Sequence, residues 1–227
     1  MFKIQKWDLL VAVYVFCIVA SELMGAKTFL LFQYGSFVLN ASVAIFLFPL
    51  IFTINDIIIE VHGKERARSV VRSGLVVVFL TFLFSLLAIS LPPSARFGGT
   101  EAAYDAIFKS SARIAAASLI ALAISEFTDI FIFAKIRERM HGRALWFRNN
   151  VSNFSAQFLD TTLFMFLAFY ALNRPVADNI SFLWSLILPY WLLKCLMSVI
   201  ETPLVYAGVR WLRTDKVYAV ASAKPTV

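Results

Sequence analysis

Charge is scarce in this chain. Asp, Glu, Lys and Arg make up 15% of its 227 residues, against about a quarter in a soluble domain. So few charged groups cannot cover a water-facing surface, which excludes an ordinary soluble globular fold. Cysteine is equally sparse: Cys17 and Cys195 are the only two and both lie inside apolar stretches. That excludes a disulfide framework and makes them small core residues. The two histidines, His62 and His141, each precede a glycine in separate basic segments, so no metal site is expected. Glycine, at 8 residues, forms no phosphate-cradling loop, and no Ser-His-Asp or His-Glu-x-x-His arrangement is available. An enzyme is therefore not expected, nor is a cofactor. The longest connection between apolar runs, residues 92–109, is too short for an inserted soluble domain.

What the chain does have is apolar length. Hydrophobic residues make up 60% of it, with 23 Phe. Runs of about twenty mostly apolar residues recur, each long enough to cross a bilayer core of roughly 30 Å. They predict an all-α, polytopic membrane protein with spans at 8–26, 36–59, 71–91, 110–134, 150–172 and 182–210. The whole of 1–227 then forms one six-helix transmembrane domain. Turn signals separate the runs: Gly35, Gly63, Pro92-Pro93, Gly98-Gly99, Gly142 and Asn173-Arg174-Pro175. Lys3 and Lys6 ahead of Leu9–Ala20 imitate a signal peptide, but Asp8 and Glu22 flank that run, so it reads as an uncleaved first span. The last run exceeds what a bilayer requires and is expected to tilt, kink near Pro203 or project from the membrane.

The net charge of +7 does not point to nucleic acid, because the charges occupy short loops and form no continuous basic face. Their distribution instead orients the chain, since positive loops stay cytoplasmic. The N-terminus, the loops after the second and fourth spans and the tail carry fifteen of the 21 Lys and Arg. Lys27, Arg96, Lys109 and Arg174 fall on the other side, and Arg113 and Lys194 lie within spans. Both termini are therefore expected in the cytoplasm.

Charged groups inside a membrane are costly, about 2.5–3.5 kcal/mol each at the helix centre. Yet Glu22, Asp56, Glu126, Asp129, Asp160 and Glu201 lie in or near spans, facing Arg113 and Lys194 as the only bases. At most two pairs can form, so several acids must line water, hold a proton or meet a ligand. On the fifth span, Asn149, Asn153, Gln157 and Asp160 recur at helical spacing and form one polar stripe, fit for a pathway or a binding wall. Interhelical amide hydrogen bonding is the plainer use of such a stripe. On the second span, Asn55 and Asp56 follow Pro49, which predicts a weakened backbone and an opening toward a cavity. Glu60 is expected to pair with Lys64 at the membrane edge. Glu126 and Asp129 share a face of the fourth span and suit a cation, a shared proton or a base on another span. The alanine-rich stretch between Arg113 and Ser125 suits close helix packing. Lys194 and Glu201 share a face of the sixth span but lie two turns apart, so each needs a partner elsewhere; for Lys194 the expected partner is Asp160.

Four segments resemble one known family in the right order. They are the Phe-Pro segment leading into Asn55-Asp56-Ile57-Ile58-Ile59-Glu60-Val61-His62-Gly63-Lys64; Arg113-Ile114-Ala115-Ala116-Ala117-Ser118; Arg148-Asn149-Asn150-Val151-Ser152 with Gln157, Asp160-Thr161 and Phe164; and Lys194 with Glu201-Thr202-Pro203. Together they are similar to the queuosine precursor transporters, also called the vitamin-uptake-like family, over roughly residues 40 to 205. The resemblance implies import of a 7-deazaguanine (7-cyano-7-deazaguanine, 7-aminomethyl-7-deazaguanine or queuine) across the bacterial inner membrane for tRNA modification. On that reading the substrate-binding candidates are Asp160, Gln157, Asn153, Asn149, Asp56, Asn55, Glu126, Asp129, Lys194 and Glu201. A carboxylate such as Asp160 would accept the adjacent N–H donors of a guanine-like edge, and Phe158 or Trp191 would stack on the ring. The expected partners are the small molecule, the lipid bilayer and a second copy in a homodimer. Two alternatives stay open at this stage: a substrate-binding membrane subunit of a modular vitamin importer, and, from a different class, an integral-membrane enzyme or structural assembly subunit.

Overall fold

Helices dominate because most of the chain offers apolar side chains all round and few backbone breakers, and in a bilayer each backbone polar group must be satisfied within its own segment. The structure, a computed structural model, describes residues 4–35, 37–139, 145–200 and 203–212, with only the backbone for residues 64, 125–139, 145–154, 156 and 197–200. Six long helices follow in order: α1 (Lys6–Met24), α2 (Phe48–His62), α3 (Lys64–Ser90), α4 (Glu101–Arg139), α5 (Leu145–Phe169) and α6 (Val176–Ile200). A short helix α7 covers 203–212. Five stretches among the described residues are long and apolar enough to cross a membrane: Lys6–Met24, Val43–His62, Glu65–Ser90, Glu101–Ile124 and Val176–Leu196. In α5 the described apolar part is the shorter Gln157–Phe169. The outer face of α3 exposes Val76, Phe79, Leu80, Leu83, Phe84 and Leu87, an apolar patch of the kind that faces a membrane or a partner.

The segment after α1 departs from an all-helical reading. Where the sequence places the second span from residue 36, the chain forms an antiparallel hairpin of β1 (Thr28–Tyr34) and β2 (Phe37–Ser42), then a 3-10 turn at Val43–Phe46. Gly35, at φ +59°, makes the hairpin tip. The register shifts between Leu30 and Phe32, leaving Leu31 as a bulge. Apolar runs of this length suit strand and buried helix equally, and the aromatics of 28–37 favour the strand. Side chains pin the hairpin down: Asn40 Nδ2 donates to Ser185 Oγ at 2.7 Å, Ser42 Oγ to the Gly25 carbonyl at 2.6 Å, and Tyr190 Oη to the Ser42 carbonyl at 3.1 Å.

Pro49 does not kink a span. It sits in the first turn of α2, where the missing N–H would have had no helical partner and the ring is tolerated. α3 and α4 also outrun their expected spans. α4 has 39 residues, roughly 58 Å at 1.5 Å per residue, so it begins nine residues before the expected 110–134 span and shortens the preceding loop. α6 ends at Ile200 and α7 starts at Pro203; the expected kink falls on residues 201–202, outside the described ones. The Asn173-Arg174-Pro175 turn is locked by buried Asn179, which receives the Ala171 N–H and donates to the Ala171, Arg174 and Pro175 carbonyls.

Three apolar clusters hold the helices together. Leu10 and Tyr14 of α1 pack with Ile54, Ile57 and Ile58 of α2, Ala67 and Val70 of α3, and Val209 and Leu212 of α7. Ala41 and Ile45 pack with Met165 and with Leu183, Leu186, Ile187 and Tyr190 of α6. Ile114 and Ala117 of α4 meet Ala168 of α5, and Ala112, Ala115 and Ala121 are buried as well. The alanines thus let helix backbones approach closely, as the small-residue pattern predicts.

Candidate functional site

Between these clusters the six long helices line a cavity of about 240 Å³, and every one of them contributes to its wall. α1 supplies Tyr14, Ser21 and Glu22, α2 Phe48 and Ile51, α3 Gly74 and Val78, α4 Ile114 and Ser118, α5 Asp160, Thr161 and Phe164, and α6 Tyr190 and Lys194. The volume lies just under the range of about 300–1,000 Å³ usual for drug-sized ligands, so it suits a small, compact molecule. Its wall is mainly apolar, with a few polar groups converging on it, the composition of a ligand site.

Gly74 shapes one side. A Cβ there would lie 2.8 Å from Ile18 Cδ1 and 3.4 Å from the Tyr14 ring, so the bare backbone is what lets α3 come this close to α1. Phe48 and Tyr190 meet edge to face at a ring separation of 5.5 Å, while Phe164 stands edge to face with Phe169 at 6.3 Å. Phe48, Phe164 and Tyr190 thereby put aromatic rings in the cavity wall.

The charged chemistry centres on Lys194. Its Nζ donates to Asp160 Oδ2 at 2.9 Å and to Thr161 Oγ1 at 3.0 Å, so the partner expected for Lys194 is the one found. Both side chains are largely withdrawn from solvent, at 14% and 27% exposure. Glu22, in the last turn of α1, is 6% exposed and lies in the cavity wall with Ser118 of α4.

The ten sequence candidates divide accordingly. Asp160 and Lys194 meet in the cavity wall. Gln157 lies one turn before Asp160 on α5 and is half-buried, and Asn55 and Asp56 are half-buried on α2; none of these three lines the cavity. For Asn149, Asn153, Glu126 and Asp129 only the helical backbone is described, and Glu201 lies outside the described residues altogether. The same holds for the Glu60–Lys64 pair, because the Lys64 side chain is outside them.

Arg113, whose partner the sequence leaves open, finds backbone carbonyls. It is exposed, and its Nε and Nη2 donate to the Leu167 and Tyr170 carbonyls at 2.8 and 2.6 Å. It thereby closes the C-terminal end of α5, where helical carbonyls lack partners. The stacking aromatics also differ. Phe158 packs edge to face on Trp191 at 5.7 Å and beside Trp184 at 6.2 Å, away from the cavity, whose rings are Tyr14, Phe48, Phe164 and Tyr190. Sequence reasoning counted Glu22 among the intramembrane acids but left it out of the site, and it read Ser118 as packing. An unpaired acid at the end of an apolar run was the available signal. Among the described residues, no three His, Cys, Asp or Glu converge to hold a metal.

Comparison with known proteins gives a consistent result. The family model described as "Putative vitamin uptake transporter" matches residues 42–208. A probable queuosine precursor transporter of Bacillus subtilis is 29% identical over 203 residues, covering 88% of this chain and 83% of that protein. The queuosine precursor transporter of Escherichia coli is 28% identical over 158 residues, 68% of this chain and 66% of that one. A probable queuosine precursor transporter of Haemophilus influenzae is 28% identical over 130 residues, 56% and 52% of the two chains. No solved structure matches the chain.

Proposed function

This chain belongs to the vitamin uptake transporter family, is a multi-pass bacterial inner-membrane protein, and we propose from that premise that it imports a queuosine precursor: 7-cyano-7-deazaguanine, 7-aminomethyl-7-deazaguanine or queuine. The observation that carries the reading is a cavity to which all six long helices contribute, with the Asp160–Lys194 pair in its wall. A transporter needs its binding site where every moving element can feel the ligand. The aromatic rings of Phe48, Phe164 and Tyr190 suit a flat heterobicycle, and the buried polar groups suit the donors and acceptors on its edge. The names carried by the three relatives supply the substrate class.

The proposal includes the whole of 1–227 as one domain of six spans with both termini in the cytoplasm. Support comes from the lysine and arginine distribution and from one end of the bundle. There the Trp7 and His62 rings lie 4.4 Å apart, the Arg66 guanidinium lies 5.2 Å from the Trp7 ring, and Lys6 Nζ donates to the Trp211 carbonyl at 2.9 Å. These contacts draw the N-terminal segment, the α2–α3 junction and α7 together, as an even number of crossings requires. The stripe Asn149, Asn153, Gln157 and Asp160 would lead from the cavity to the cytoplasmic end of α5. Asn55 and Asp56 on α2, Glu126 and Asp129 on α4 and Glu201 would add polar groups toward that same end. A homodimer is part of the reading. A docking subunit of a modular importer draws less support, because Ala112, Ala115, Ala117 and Ala121 of α4 are buried within the chain and offer no docking face.

Melting the detergent-purified protein with the two 7-deazaguanine precursors, queuine, guanine and a vitamin panel tests the function. A ligand at 100 times its dissociation constant stabilises by about 2.7 kcal/mol. A shift with a deazaguanine that Asp160→Asn loses supports the reading, and a shift with a vitamin alone overturns it.

A further inference from the structure

We propose that Glu22, rather than Asp160, is the carboxylate that recognises the substrate, by accepting two adjacent N–H donors from one edge of the ring. The inference rests on the cavity being the substrate site. It starts from an accounting of the polar groups in the cavity wall. Asp160 is already engaged: its Oδ2 receives the Lys194 ammonium. The hydroxyls of Ser21, Ser42 and Tyr190 all donate to backbone carbonyls, those of Ile18, Gly25 and Ser42 respectively. Glu22 stands apart. It is 6% exposed, and its Oε2 has no hydrogen-bond partner. Of the buried polar atoms without a partner among the described residues, it alone belongs to a residue of the cavity wall.

A buried acceptor with an open lone pair is costly, and a carboxylate far more so than a neutral group. In a cavity wall it defines what the occupant must bring, namely N–H donors. A carboxylate presents two oxygens side by side, so it accepts a pair of adjacent N–H groups in parallel, the geometry that makes charge-assisted bidentate bonds strong. Lys194 supplies the complement. An ammonium has three N–H groups, and two of them are assigned, to Asp160 and Thr161. The third is available for a carbonyl oxygen. The wall therefore asks for a ring whose edge reads donor, donor, acceptor: an exocyclic amino group, a ring N–H and a carbonyl. A 2-amino-4-oxo pyrimidine ring has that edge, and the same ring without its amino group does not.

The test compares 7-aminomethyl-7-deazaguanine with its analogue lacking the 2-amino group, by calorimetric titration of the detergent-purified protein. The unsubstituted protein is expected to bind the aminated compound roughly tenfold to a hundredfold more tightly, the worth of one hydrogen bond to a charged group. Glu22→Gln, the same size with one acceptor turned into a donor, is expected to lose most of that discrimination, and Glu22→Asp, which withdraws both oxygens by a methylene, to weaken the aminated compound at least tenfold. Should the glutamine variant not fold, the aspartate variant decides. Discrimination unchanged in a folded Glu22 variant overturns the proposal. Absence of binding by the unsubstituted protein to either compound, and to 7-cyano-7-deazaguanine and queuine titrated alongside, overturns the reading of the cavity itself.

Discussion

Lys194 on α6 donates to Asp160 on α5 at 2.9 Å, across 34 residues of chain, and the bond lies in the wall of the central cavity. Thr161 takes a second ammonium N–H at 3.0 Å. In a low-dielectric interior neither charge would be tolerated alone, whereas together they make a neutral, hydrogen-bonded unit that also ties α5 to α6.

Removing one partner leaves the other buried and uncompensated. Lys194→Ala is expected to lose about 3–5 kcal/mol and most of its folded yield after detergent extraction. Adding Asp160→Asn removes the stranded charge, so the double variant should recover most of that yield and melting temperature while remaining inactive in uptake. Independent, additive losses on size-exclusion and thermal melting would show that the pair is not a unit.

How much of this was legible beforehand depended on whether the deciding interaction is local. Long apolar runs specify helices because the bilayer demands internally bonded backbone, so α1, α3, α4 and α6 follow from the sequence. The Asp160–Lys194 pair was also readable, since two bases among several intramembrane acids leave few pairings. The hairpin at 28–42 was not. Its apolar run fits either secondary structure, and what selects the strands is tertiary: Asn40 bonding Ser185 and Ser42 bonding the end of α1. Glu22 was seen as an acid but not as part of the site, because which faces of α1 and α4 meet is not encoded in the spacing within either helix. The partners of Arg113 were not legible for a related reason. Its partners are backbone carbonyls on α5, and a search for opposite charges does not find those.

Arg113 should therefore matter to stability and not to binding. Its two bonds close the end of α5, and bonds from a charged donor are worth about 1.5–3 kcal/mol each at most. Arg113→Ala is expected to lower the melting temperature of the purified protein, and Arg113→Lys, which keeps the charge but not the fork, to fall between. Ligand affinity at matched temperature should stay within about twofold, because Arg113 is exposed and outside the cavity wall. A large affinity loss in Arg113→Lys with unchanged melting would contradict the capping role.

Gly74 separates cavity volume from fold. Replacing a helical glycine by alanine gains about 1 kcal/mol of helix propensity, and the new methyl at 2.8 Å from Ile18 Cδ1 costs a comparable amount of overpacking, about 1–3 kcal/mol. Gly74→Ala is thus expected to fold with a net change under about 2 kcal/mol. Gly74→Leu projects a full side chain into the space between α3 and α1 and should abolish ligand-dependent stabilisation while the helical circular dichroism persists. Retained ligand stabilisation in the leucine variant would move the site elsewhere.

The orientation of the bundle can be read with cysteines placed at its two ends. Glu65, at the start of α3, belongs to the end where Lys6, Trp7, His62, Arg66 and Trp211 meet; Ser94 lies in the exposed loop between α3 and α4. Cys17 and Cys195 are first replaced by alanine, since a buried and a half-buried thiol would blur the labelling. With positive loops held inside, a membrane-impermeant maleimide applied to intact cells is expected to label Ser94→Cys and spare Glu65→Cys. In inside-out vesicles the pattern should reverse. Because α3 alone separates the two positions, each control is the other's mirror, and labelling of Glu65→Cys from outside would invert the whole bundle. The arginine-rich loops would then face outward and the polar stripe of α5 would lead away from the cytoplasm, which is incompatible with import along that stripe.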